Sequence, residues 1–360
     1  MTTVDNPAPA ARTAEDVAGQ VLTATLGAFT TLSIYVGERM GLYRALRDGP
    51  ATPEELADRA GIDARYAREW LEMQAVDGYL DVIDGPPRRF SMSDAVAEVM
   101  TDGDSLNHLG PLPRLVAAAA SHLPELQQAY RTGGGVSWDD FGDDARQSQE
   151  ALNRPWLDAA MPAALAGIPE LDAVLSRPGA RVADVGSGAG WSSIGLARTH
   201  PGLTVRGYDV DGPSVESARA NAAAAGVGDR VAFVVADADR LAADGPFDVI
   251  LACECLHDMS RPVDVLRAAR AGLAPDGVMI VMDEAVADSF AAPAGDIERL
   301  MYGFSMFICL PDGRSSVPSA ATGAVIRRPI LEKYALAAGF SAVEVLPIEP
   351  FNTWRFYRLS

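Results

Sequence analysis

The sequence predicts an α/β protein: a doubly wound, largely parallel sheet in its second half, preceded by a mainly α-helical half that contains a winged helix. Three observations carry this. Five short apolar runs, ending at Asp184 and spanning Leu203–Tyr208, Val231–Val235, Phe247–Ala252 and Val278–Met282, are separated by helix-length segments. Continuous apolar runs are expected of strands buried on both faces. Glycines stand at alternate positions after the first run, Gly186, Gly188 and Gly190. Between residues 52 and 92, cap residues, a glycine break and a Pro-Gly-rich turn spell helix, turn, helix, strand, turn, strand.

In chain order, residues 1–13 read as a Pro/Ala/Thr-rich tail without the apolar centre of a secretory signal. An apolar helix follows from about Ala14 to Gly37, then Gly41-Leu42-Tyr43. Thr52-Pro53-Glu54-Glu55 is a helix start, with Thr as cap, Pro in the first turn and Glu three residues after the cap. Gly61 breaks that helix, and a second runs from near Asp63 to about Asp77. Tyr79–Ile83, the turn Asp84-Gly85-Pro86-Pro87 and Arg88–Met92 form the wing. Residues 52–80 hold three arginines against seven acids, so the second helix lacks the basic side chains of a DNA reader. Ala117–Ala120 and Trp156–Leu165 read as helices bridging to the second half, and Gly133-Gly134-Gly135 as a flexible turn. The expected division is 14–165 for the helical domain and 166–360 for the sheet domain.

Composition limits the partners. A formal charge of −19 argues against a phosphate backbone as ligand. No uninterrupted apolar run reaches about 18 residues, so no membrane span is expected. Cys253, Cys255 and Cys309 show no metal or redox spacing, no metal is expected, and a cytoplasmic location follows by default.

The glycine turn defines the ligand. In a doubly wound fold the first strand-to-helix turn sits at the ligand crevice. A nicotinamide fingerprint, G-x-G-x-x-G, would need a third glycine where Trp191 stands, and Asp184 sits where a pyrophosphate would least tolerate it. The run suits a ligand that is cationic at this end, as the ammonium and sulfonium of S-adenosylmethionine are. Asp209, 25 positions on and just past the second strand, is placed for both ribose hydroxyls; Asp237, after the third, for an adenine amino group.

Taken together, Asp184-x-Gly186-x-Gly188-x-Gly190, Asp209 and Asp237-Ala238 resemble the class I S-adenosylmethionine-dependent methyltransferases over roughly residues 180–285. The resemblance implies a Rossmann-like seven-stranded sheet closed by an antiparallel hairpin, for which Ser341–Leu346 and Thr353–Leu359 are the strands. It also implies cofactor contacts from Asp184, Gly186, Ser187, Gly188, Gly190, Asp209, Asp237, Ala238 and Cys253. The first half is similar to the N-terminal dimerisation domain of winged-helix small-molecule O-methyltransferases, which implies a homodimer. Leu256-His257-Asp258-Met259-Ser260 resembles the Leu-His-Asp-Trp-Ser segment carrying their catalytic base, with Met259 replacing Trp.

His257 is one of four histidines and follows the fourth strand, where the crevice opens. An imidazole suits removal of a hydroxyl proton near neutral pH. Glu254 or Glu284 could orient it, and Glu284 joins it as the second catalytic candidate. His200 lies in a polar turn, and His108 and His122 read as loop or helix residues with no acid partner nearby. An insertion, 285–326, carries Met301, Tyr302, Phe304, Met306 and Phe307, either core or the wall of an acceptor pocket. Pro311–Ser316 reads as a mobile loop. The expected reaction is O-methylation of a small, flat, aromatic metabolite. Nitrogen or carbon methylation, a non-methylating cofactor binder and a DNA-binding sensor remain as alternatives.

Overall fold

The computed structural model describes residues 12–348 and 351–360. The expected N-terminal tail lies outside the described residues except for its last two. The chain forms two compact units that divide between Pro113 and Arg114. The sequence-based boundary at 165 follows instead the end of the helical segment; residues 114–165 are helical but belong to the second unit, against whose apolar side chains they pack.

In the first unit, Thr13 and Asp16 form a capping box that opens the helix Ala14–Arg39. Only its C-terminal third enters the unit's core. Ile34 and Gly37 are buried, and a Cβ at Gly37 would stand 2.5 Å from the Trp70 ring. Val21, Leu22, Leu26 and Phe29 are exposed. This helix is long and apolar enough to cross a membrane, by length and composition only, although Thr and Gly interrupt its apolar run. Trp70 and Tyr43 meet edge to face at 5.0 Å, and Tyr43 donates to Gln74 at 2.6 Å. Helices Pro53–Ala60 and Ala64–Val76 start at their expected caps, Thr52 and Asp63. The wing is the hairpin β1 (Asp81–Ile83) and β2 (Arg89–Ser91), with Val82 opposite Phe90. Arg65, Arg68 and Arg89 each pair with a glutamate: Glu69, Glu54 and Glu55.

The second unit is built on seven strands: β3 (Arg181–Val185), β4 (Thr204–Asp209), β5 (Val231–Val235), β6 (Phe247–Cys253), β7 (Leu273–Glu284), β8 (Val343–Val345) and β9 (Trp354–Leu359). Their order is β5-β4-β3-β6-β7-β9-β8. The first five run parallel, and β9 lies antiparallel between β7 and β8. Alternate side chains of each strand feed two apolar layers. Val182, Val205, Leu251 and Ile280 face one; Ala183, Tyr208, Ile250 and Val281 face the other. The order reverses beside β3, so the carboxyl ends of β3 and β6 open a crevice at the switch point.

Candidate active site

A cleft of about 1090 Å³ opens at that switch point, and its lining comes entirely from the second unit. At one end the turn after β3 brings Gly186, Ser187, Gly188 and Gly190 to the wall. Gly190 has φ +84°, and a Cβ there would collide with the Phe233 ring, so only glycine lets helix Trp191–Thr199 start this close to β5.

Asp184 does not line the cleft. It is fully buried and accepts from Ser192 Oγ at 2.5 Å and Ser193 Oγ at 2.6 Å. Burial pushes its carboxyl up to about 6, against the two serine hydrogen bonds. The expectation that Asp184 faces a cationic ligand is therefore corrected. The side chain turns behind the loop because the first turn of the following helix offers two hydroxyls there.

Asp209 lines the cleft at the end of β4, accepting from Gly188 N and from Asp211 N, each at 2.8 Å. Burial raises its pKa. Asp211 caps helix Gly212–Ala224 and pairs with Arg146 at 2.8 Å. Asp237 is half exposed at the cleft wall, accepting from Ala238 N at 2.6 Å, with Arg261 at 3.5 Å. Ala238 and Cys253 also line the cleft. These residues fit S-adenosylmethionine by the chemistry of their donors. A carboxylate fixed by backbone N–H groups stands near a glycine turn open to close approach, with a second carboxylate beyond the neighbouring strand.

The other end holds His257, 3% exposed. Its Nδ1 lies 2.5 Å from Asp283 Oδ1, and its Nε2 lies 3.2 Å from Asp258 Oδ1. Neither acid expected to orient the imidazole makes that bond. Asp283, the residue before Glu284, makes it, because the end of β7 turns the shorter side chain toward the histidine. Glu284 stands close by, its carboxylate within 4.8 Å of the His257 and Asp283 atoms, and its Oε2 is buried without a hydrogen-bond partner among the described residues. Burial works against an imidazolium here, but the charges of Asp258 and Asp283 outweigh it and raise the His257 pKa well above its ordinary value.

Glu254, at φ +52°, accepts from Gln149 at 3.1 Å and Asn153 at 2.6 Å. Burial raises both Glu254 and Glu284. His200 is buried rather than exposed in a polar turn, and sits 3.2 Å from Asp172, outside the cleft.

The insertion forms the far wall through Phe304, Ile308, Cys309 and Asp312. Helix Asp296–Phe304 passes into a π turn, Ser305–Cys309, and a short helix, Leu310–Gly313. The stretch expected as a mobile loop thus begins as a helical turn with Pro311 and Gly313 buried. Its partner is the Gly133–Gly135 segment, expected as a flexible turn. Arg314 donates to Gly133 O and Val136 N donates to Pro311 O, and a Cβ at Gly135 would strike that backbone. The glycines serve this close packing. Asp312 accepts from Trp138 N at 2.8 Å and is pushed up to about 7 by burial.

The parallel sheet, the open glycine turn and the acid after β4 define a class I methyltransferase that uses S-adenosylmethionine. Known proteins agree. A methyltransferase-domain family profile matches residues 176–307, and an Rv2258c-like winged helix-turn-helix profile matches residues 28–101. A mitomycin biosynthesis 6-O-methyltransferase of Streptomyces lavendulae is 27% identical over 318 residues, covering 83% of this chain and 86% of that protein. A 3-hydroxy-5-methyl-1-naphthoate 3-O-methyltransferase of Streptomyces sahachiroi is 29% identical over 276 residues, covering 74% and 77%. The solved structure of PigF with S-adenosylhomocysteine superposes with a TM-score of 0.72 at 18% identity, covering 97% of this chain and 100% of that one. The chain thus carries a methyltransferase domain with a winged helix-turn-helix domain ahead of it.

Proposed function

We propose that the chain methylates a hydroxyl of a small, flat, aromatic metabolite, with His257 as general base. The observation that carries this is the imidazole on the cleft wall, held at Nδ1 by Asp283, in the same cleft as the cofactor turn. The names of the two Streptomyces relatives, both O-methyltransferases and one acting on a naphthoate, support the acceptor class.

Bound in the cleft, S-adenosylmethionine supplies an electrophilic methyl group on sulfur. The chain's residues do the rest. Asp209 would hold the ribose hydroxyls and Asp237 the adenine amino group. Trp138, Phe304 and Ile308 pack the ring of the acceptor and exclude water. Asp283 fixes Nδ1–H, leaving Nε2 to take the hydroxyl proton as the oxygen attacks in line. Asp258 and Asp283 then stabilise the imidazolium.

The exposed apolar side chains of helix Ala14–Arg39 support the reading that two copies pair through the first unit. Three free cysteines fit a reducing, intracellular setting. The test is a comparison of wild type with His257→Ala, measuring methyl transfer to phenolic acceptors and S-adenosylhomocysteine affinity. Transfer lost with affinity kept supports the base. Transfer retained removes His257 from the chemistry.

A further inference from the structure

One side chain at the acceptor end, Cys309, has no part in methyl transfer. Cys309, brought in by the π turn of the insertion, lies against His257 and Asp258. The ligating atoms of the three side chains all fall within 4.8 Å of one another. Single π turns recur at functional sites. Here the turn delivers a thiol 52 residues beyond the histidine in sequence. We propose that His257 Nε2, the Asp258 carboxylate and Cys309 Sγ form a binding site for Zn²⁺ on the cleft wall.

Several features support it. The donor types are a thiolate, an imidazole and one carboxylate, the borderline-soft set that selects zinc over magnesium or calcium. Tetrahedral zinc at ordinary bond lengths sets its donors roughly 3–4 Å apart, so the three atoms need close by only about an ångström. His257 donates its other nitrogen to Asp283 at 2.5 Å, the outer carboxylate that fixes a metal-binding imidazole. Asp258 Oδ1 already stands 3.2 Å from His257 Nε2. All three residues line the cleft, so an ion has a way in and keeps one open position. On binding, the thiol and any imidazolium release their protons to solvent. Thiolate and carboxylate then balance the two positive charges, which suits a buried site. A second grouping, His257 with Asp283 and Glu284, is the weaker candidate: Nδ1 is already committed to Asp283, and the donors are hard carboxylates.

The functional consequence rests on the base assignment above. With Nε2 on a metal no lone pair remains for the acceptor hydroxyl, so zinc and turnover exclude one another. The site is inhibitory, distinct from a metal cofactor.

The experiment is titration of the full-length protein with Co²⁺ as a spectroscopic stand-in, followed by Zn²⁺ displacement. One ion per chain is expected, with a thiolate-to-cobalt charge-transfer band and tetrahedral d–d bands, both erased by Zn²⁺. Cys309→Ser should lose the charge-transfer band, while Cys255→Ser keeps it. Asp283→Asn should weaken binding by roughly 10–100-fold. S-adenosylhomocysteine binding, measured on each variant, reports the fold. If Cys309→Ser does not fold, Asp258→Asn must lower affinity at least tenfold with the charge-transfer band retained. No thiolate band in the wild type, or an unchanged band in Cys309→Ser, overturns the site. A metal site seen alongside a fully active His257→Ala would leave the ion in place and remove the base.

Discussion

The two ends of the cleft use carboxylates in opposite ways. At the cofactor end each acid is held by donors that do not titrate near neutrality. Asp209 is bound by two backbone N–H groups, Asp237 by one, and Asp184, behind the loop, by two serine hydroxyls. At the acceptor end the acids face one another and a histidine. Asp258, Asp283 and Glu284 surround His257, with Glu254 close by. The first end is held by backbone N–H groups and hydroxyls that stay in place whatever the pH. The second, on the proposed mechanism, takes up and passes on a proton. Substitutions at the two ends should therefore separate into losses of affinity and losses of turnover.

The largest separation is expected from His257→Ala. Turnover should fall by roughly 10² to 10⁴, with S-adenosylhomocysteine affinity within about threefold of wild type by calorimetry. A parallel loss of affinity would dissolve the distinction. Asp209→Ala should do the reverse, weakening cofactor binding by about 10–100-fold through lost charge-assisted hydrogen bonds. Turnover at saturating cofactor should be much less affected.

A pH profile sharpens the comparison further. Because the neighbouring carboxylates raise the pKa of His257, turnover should climb with pH through a limb above the ordinary histidine range. Asp283→Asn removes one negative charge, lowers that pKa and moves the limb to lower pH. An unmoved limb would assign it to another group.

The smallest effect belongs to Asp184. Its carboxyl titrates near 6 when folded, against an ordinary 3.8. Between those values the native state holds a proton that the unfolded chain has lost, so this group makes stability fall as pH rises. Asp184→Asn keeps an acceptor for the serines and should flatten that part of the curve of urea midpoint against pH.

What the sequence revealed divides along the same line. The cofactor end was legible because each residue there sits one strand end from the next, and strand ends are visible as apolar runs meeting acids. Asp209 and the glycines lie at the cleft as their spacing implies. Asp184 was misread because its partners, Ser192 and Ser193, belong to the next helix, whose phase the sequence did not fix. The acceptor end was less legible. Asp283 and Glu284 are neighbours, and which of them meets His257 depends on how β7 ends. Cys309 and the Gly133–Gly135 seam come from distant segments, and no local pattern announces such contacts. The helix caps at Thr52 and Asp63 were predictable because capping is local chemistry.

The position of β9 has a consequence for assembly on the ribosome. Among the described residues β8 pairs only with β9, and β9 is the strand that covers the outer edge of β7. A nascent chain that has made residues 273–345 therefore holds β7 with an uncovered edge and β8 with nowhere to dock. The sheet is completed only when Trp354–Leu359 slides between them. Until then the backbone of β7 is open to any other extended chain, and a chaperone would be most useful there.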